Sequence, residues 1–384
     1  MKKSKILALT LSAISTGILI SCAKPAQTDN NQTEATDGTK VTDNNTVATN
    51  EVKNSQQAEA IESQAINISP EQETAYLTHV ANDMIVPTYN KAVAESQLFH
   101  NLVNEMCQSG VVSVEQIAEL RRQWLVLATT WAKAEAINFG PATENMNNLF
   151  INYFPDERKV VHRSVKELIA DSPNITPEQF VDQSAIVQGL PALEDILYTN
   201  DSLDVAQCNY VISASSELNR RLSDIAEQWK VNSNTLLDTA NPKIGMNQYF
   251  NGLLFYIENL KSTGVDKPLA LTSKKKGHVP AHIAGQSQAI IQAKLDMLQQ
   301  LLADQHLLTL IKGDKKSVEL LDEATASIEE AKKQLVTLPA DITTAEKANQ
   351  QVLYDNLTNT TKVLKRGILP LFGVQIGFNS TDGD

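Results

Sequence analysis

The chain has 384 residues, a formal net charge of −12, and 42% apolar but only 5% aromatic residues. That length allows two domains of ordinary size, and an acidic chain with no basic stripe to neutralise phosphates excludes nucleic acid as a partner. Abundant Leu, Ala, Gln, Asn and Glu, without evenly spaced β-branched strands and turns, exclude an all-β fold and favour helix.

Met1 to Ser21 reads as a targeting segment: Lys2, Lys3 and Lys5 form a basic start, and Ile6 to Ile20 is mostly apolar. It ends in Leu19-Ile20-Ser21-Cys22, which resembles the lipobox of bacterial lipoproteins. Cys22 is then the acylated first residue and the lipid is the membrane partner; the alternative is a free Cys after an ordinary signal peptide. Ala23, not Asp, follows, which fits the outer membrane, facing the periplasm. Removing residues 1–21 takes away three Lys and no acid, so −12 becomes −15. Residues 22–69 are rich in Asn, Thr, Gln, Ala and Ser and read as a flexible tether, too poor in large apolar groups to offset the entropy of ordering. No later run is long and apolar enough to span a bilayer.

Order is expected from Pro70. Tyr76, Val80, Met84 and Ile85 recur at helical spacing until Pro87 kinks or breaks the run, and a second helix covers about 88–107. Ser113 with Gln116 forms a capping box, opening a helix that passes Trp124 and Trp131 to about Asn138 and stops at Gly140-Pro141. Residues 147–159 read as an aromatic loop. Thr176-Pro177 opens a helix running to Gln188. Asp201 or Ser202 caps a long helix to about Leu237, and Asn241-Pro242 marks the domain boundary. Helices at about 244–261, 281–312, 315–335 and 343–369 follow. The result is an all-α fold of two packed helical bundles, 70–240 and 241–384. Cys107 and Cys208 fall on apolar helical stripes of the first bundle; in an oxidising compartment they are expected to pair, the alternative being two free buried thiols.

Between the first bundle's later helices lies Gln188-Gly189-Leu190-Pro191-Ala192-Leu193-Glu194-Asp195-Ile196-Leu197-Tyr198. Gly189 can stop a helix, Pro191 suits the first turn of the next, and Leu190, Leu193, Ile196 and Leu197 fall on one face. This describes a broken helix with a carboxylate, Glu194, at the break. Its donors are either backbone N–H groups at a helix start or a cation; the plainer reading is a helix corner with a solvated acid. His278 and His282 stand four apart, but Gly277 and Pro280 interrupt the helix, so they read as loop histidines. Lys274-Lys275-Lys276 reads as a solvated loop surface. No His-Glu-x-x-His, Gly-x-Ser-x-Gly, P-loop or Cys-x-x-Cys occurs.

Gly189-Leu190-Pro191-Ala192-Leu193-Glu194 resembles the Gly-x-His-x-x-Glu signature of the imelysin family, bacterial envelope proteins that include iron-regulated protein A. Three further stretches resemble the same family in the same order. These are Trp131-Ala132-Lys133-Ala134-Glu135 leading to Phe139-Gly140-Pro141, then Ala284-Gly285-Gln286-Ser287, then Gly377-Phe378-Asn379-Ser380-Thr381-Asp382-Gly383-Asp384. The resemblance spans about 71–384. Pro191 stands where the motif has His, so Gly189 and Glu194 alone carry over. It implies a binding or accessory component of iron or other divalent-metal uptake, with envelope iron-uptake components as partners. Glu194 is the candidate metal ligand; a lone carboxylate needs others, such as His79, His162, Glu135 or Asp382 and Asp384. The family name also carries a peptidase activity. No activated Ser or Cys and no complete metal triad is recognisable here, so no catalytic residue is assigned; a metal-dependent peptidase and a structural or adhesion lipoprotein are the alternatives.

Overall fold

The computed structural model describes residues 65–376. The 1–21 segment, Cys22, the 23–64 stretch and the Gly377–Asp384 tail lie outside the described residues. All described regular structure is helical apart from one isolated antiparallel bridge between Val112 and Leu203. Packing begins before Pro70: Ile68 is buried, and the Ile66 N–H donates to the Leu371 carbonyl at 2.9 Å.

Helix α1 (Pro70–His79) opens with Ser69 and Gln72 as a reciprocal capping box. Pro87 does not break the run. A π-helical turn, Val80–Ile85, leads directly into α2 (Val86–Met106), with Pro87 in its first turn. A proline lacks an N–H and crowds the carbonyl four residues back, and a widened turn accommodates both. Helix α3 (Val114–Ala134) starts at the Ser113 cap, but it tightens into a 3-10 turn at Glu135–Ile137, before the Gly140-Pro141 stop. Residues 147–151, expected as loop, form a short helix. Asp156 accepts from the Val160 and Val161 N–H groups and so opens α4 (Val161–Asp171).

The helix expected from Thr176 to Gln188 is only one turn, Pro177–Phe180. The buried Gln188 side chain donates to the Phe180 and Gln183 carbonyls, 3.2 and 2.7 Å away, and folds the chain back instead. Helix α5 (Gly189–Thr199) then begins at Gly189, two residues before Pro191. The cap of α6 (Val205–Leu236) is Asp204, whose carboxylate takes the Gln207 N–H, not Asp201 or Ser202. Helix α7 (Pro242–Asn259) continues through a π-helical turn, Leu260–Asp266. The single helix expected at 281–312 is two, α8 (Ser287–Leu302) and the short Gln305–Ile311, because Asp304 caps a fresh start. Helices α9 (Lys315–Val336) and α10 (Lys347–Val363) follow.

α2 packs against both α3 and α6, and α9 against both α8 and α10, while α3 meets α8 and α1 lies along α7. One buried apolar cluster runs through both sets, with Trp124, Trp131, Trp229 and Tyr89 among its largest members. Each such side chain contributes about 1.5–3 kcal/mol by leaving water. Cys107, just past α2, is disulfide-bonded to Cys208 in the first turn of α6, their Cα atoms 5.6 Å apart. No helix among the described residues is long and apolar enough to cross a membrane.

Candidate functional site

A cavity of about 470 Å³ lies where α3, α5, α8 and the loop after α7 converge. Its apolar walls include Trp124, Trp131, Leu190 and Ile290; Glu194, Asp195, His282 and Lys294 are among its polar groups.

Gly189 sets the position of α5. It adopts φ +73°, and an added Cβ would sit 2.3 Å from the Ile151 carbonyl oxygen and 2.4 Å from that of Phe150. Only glycine lets the start of α5 press so closely on the 147–151 turn. That turn is braced by Arg221 of α6, whose guanidinium lies 4.0 Å from the Phe150 ring centre and donates to the Asn147 side chain. The Trp124 indole N–H donates to the Leu190 carbonyl at 3.1 Å, tying α3 to the first turn of α5. Pro191, at the motif's His position, lines the cavity but offers no donor or ligand atom.

Glu194 is 4% exposed. Its Oε1 accepts from the Ile283 and Ala284 N–H groups at 2.8 and 2.9 Å. The donors are therefore backbone amides, but they belong to a loop ninety residues away and not to the carboxylate's own helix start. Burial pushes the Glu194 carboxyl up to about 7, outweighing the two amides that favour its charge, and the neighbouring Asp195 adds to the rise. Asp195, also buried, receives the His162 Nδ1 at 3.0 Å; burial raises its carboxyl and the His162 contact opposes that.

Both loop histidines reach this cavity. His278 is occupied structurally: Nε2 accepts from the Asp156 N–H at 3.1 Å and Nδ1 lies 3.0 Å from the Val279 carbonyl. His282 stacks on it with ring centres 3.7 Å apart, and burial, then the His278 ring, lowers its imidazole to about 4. The residue is exposed, and its ring is neutral at pH 7, so a lone pair is available to a ligand. The same loop is anchored at its root by Asp266, which takes the Thr272 N–H and the Ser273 hydroxyl. Lys275, read from the sequence as solvated surface, is a lining residue, while Lys276 pairs with Glu157 at 3.1 Å.

Other expected ligands are placed otherwise. Glu135 lines the cavity, but it is engaged by the Trp131 and Asn152 side chains and by Lys294. His79 lies outside the cavity, and Asp382 and Asp384 lie outside the described residues. Sequence reasoning missed Asp195, Lys294 and the two amide donors. The signal was present for the amides: the Ala284–Ser287 stretch and the Gly189–Glu194 stretch are joined by the Glu194–Ala284 bond, and Trp131 and Glu135 of a third stretch line the same cavity.

The model of the family described as Imelysin matches residues 85–366. The crystal structure of an imelysin-like protein from Psychrobacter arcticum superposes with a TM-score of 0.80 and 47% identity, covering 82% of this chain and 99% of that one. A protein described as an iron-regulated protein A precursor, from Parabacteroides distasonis, superposes with a TM-score of 0.64. It is 13% identical over 80% of this chain and 96% of its own, a likeness of fold alone. Among curated proteins none matches.

Proposed function

The chain belongs to the imelysin family, and from that premise we propose that it is a lipid-anchored binding protein of the cell envelope, an accessory to iron or other metal uptake, with the cavity at Glu194 as its ligand site. One observation carries the reading: a carboxyl nine-tenths buried, fixed by two main-chain amides and facing a cavity of about 470 Å³. That volume suits a small molecule and far exceeds a bare ion. The apolar walls and the few directed polar groups suit a metal carried in an organic chelate, with Glu194 and Asp195 facing its cationic part.

The proposal is of binding without turnover. His162 and Asp195 supply the base-and-orienter half of a hydrolytic triad, which is the observation favouring a peptidase; no Ser or Cys stands among the lining residues to act as nucleophile. Peptide cleavage is accordingly expected to be absent with and without chelator.

Two measurements test the proposal. Calorimetric titration of ferric citrate and of bare Fe²⁺ and Zn²⁺ into wild type and Glu194→Gln is expected to show chelate binding weakened about tenfold by the substitution. Unchanged chelate binding would remove the cavity from the reading. Cys22→Ser should release the protein from membrane fractions or stall its processing. A variant that is processed normally and stays with membranes contradicts the lipid anchor.

A further inference from the structure

Outside the cavity, a second set of chemically capable side chains gathers where α1 ends. His79 is the last residue of α1, and Asp304 and His306 stand at the start of the short Gln305–Ile311 helix. One ligand-type atom from each lies within 4.8 Å of the other two. We propose that His79, Asp304 and His306 bind a divalent first-row transition metal ion.

Two of the three donors are held in place by other groups. His79 Nδ1 lies 2.8 Å from the Asp83 carboxylate, which fixes the proton on Nδ1 and leaves Nε2 as the donor atom. This is the outer-sphere carboxylate–histidine arrangement that orients metal-bound imidazoles. Asp304 Oδ2 accepts from the His306 and Leu307 N–H groups, so Oδ1 is turned toward both imidazoles, 3.0 Å from His79 Nε2 and 3.7 Å from His306 Nδ1. An Nε2–Oδ1 separation of 3.0 Å is about the edge between two neighbouring ligands at roughly 2.1 Å from one ion.

The electrostatics point the same way. Both nitrogens of His79 face carboxylate oxygens, an arrangement that a cation at Nε2 suits. The His306 ring stacks on that of His79, their centres 3.6 Å apart. A metal ion there accounts for the turn of the His306 Nδ1 toward Asp304, 3.7 Å away. Two imidazoles and one carboxylate select borderline metals such as Zn²⁺ or Fe²⁺ over Mg²⁺ and Ca²⁺, which prefer all-oxygen shells. His306 is 60% exposed, so water can complete the coordination sphere. The ion would clamp the first described helix to the connection between α8 and α9.

Zn²⁺ titration of chelator-treated full-length protein tests this, with Co²⁺ absorption reporting the ligand set. Wild type is expected to bind an equivalent of Zn²⁺ that His306→Ala weakens tenfold or more and that His79→Gln/His306→Ala loses, while Glu194→Gln leaves it unchanged. Zn²⁺ should raise the melting temperature of wild type and not of the double variant. Asp304→Asn keeps the helix cap and is the second probe should the double variant fold poorly; it too should weaken binding tenfold or more. No Zn²⁺ binding by wild type, or affinity unchanged in His306→Ala and Asp304→Asn, overturns the site.

Discussion

Glu194 and His282 face one cavity with opposite titration behaviour. The Glu194 carboxyl, raised from 4.5 to about 7, keeps its proton in the fold at pH values where the unfolded chain has lost it. Its contribution is therefore fully present below 4.5 and is lost as pH rises to 7, an effect of roughly 3 kcal/mol at most. The His282 imidazole, lowered from 6.5 to about 4, works in reverse: stability is present above 6.5 and lost as pH falls toward 4. Solvent at its exposed ring edge makes that contribution the smaller one. Melting curves from pH 4 to 8 should thus separate them. Glu194→Gln should remove the decline between pH 4.5 and 7, and His282→Gln should steepen it. A Glu194→Gln curve parallel to wild type would show that the carboxyl does not titrate in this window. None of this was legible from residue type, since burial, the largest cause of both shifts, is set by how the helices pack.

At the scale of elements, several boundaries depart from expectation. Pro87, Gly140-Pro141 and Gly189 are strong local signals, yet helices run into a π turn before Pro87, stop short of Gly140 and begin at Gly189 itself. Local bonds decided several boundaries: Gln188 tethers the turn before α5, and Asp204 and Asp304 cap helices whose starts other residues could equally have served. The capping boxes at Ser69 and Ser113 likewise close within four residues. Gly189 is the element-level test. Alanine there must hold φ +73° and displace the Ile151 carbonyl, so Gly189→Ala should cost about 2 kcal/mol or more by denaturant unfolding and weaken ligand binding at Glu194. A substitution costing under about 0.5 kcal/mol would mean that the 147–151 turn yields freely.

For the whole molecule, one continuous apolar cluster joins helices before and after Asn241-Pro242, and the cavity draws on both sides. Among the described residues, covalent closure lies in the earlier helices, where Cys107 and Cys208 bridge a sequence separation of 101. Such a loop is long enough for the link to remove about 2–4 kcal/mol worth of unfolded-state freedom. Cys107→Ser/Cys208→Ser should therefore melt several degrees below wild type, and reductant should lower wild type toward the same value. Equal melting temperatures with and without reductant would mean that the bridge adds nothing to the fold.

The sequence by itself determined the helical class, the imelysin resemblance and the Ser113 capping box, and it singled out Gly189 and Glu194. These depend on periodicity, on bonds within one turn and on short motifs, all written in consecutive residues. Only the tertiary structure decided what Glu194 bonds to, that Asp195 and His282 share its cavity, that Glu135 is engaged by Lys294 and Asn152, and that His79 meets Asp304 and His306. The hydrogen bonds among these contacts run from seventeen positions apart, Glu135–Asn152, to 225, His79–Asp304. Which distant groups meet is set by how whole helices pack to bury their apolar faces, and that requirement constrains the faces without naming the polar residues carried along on them.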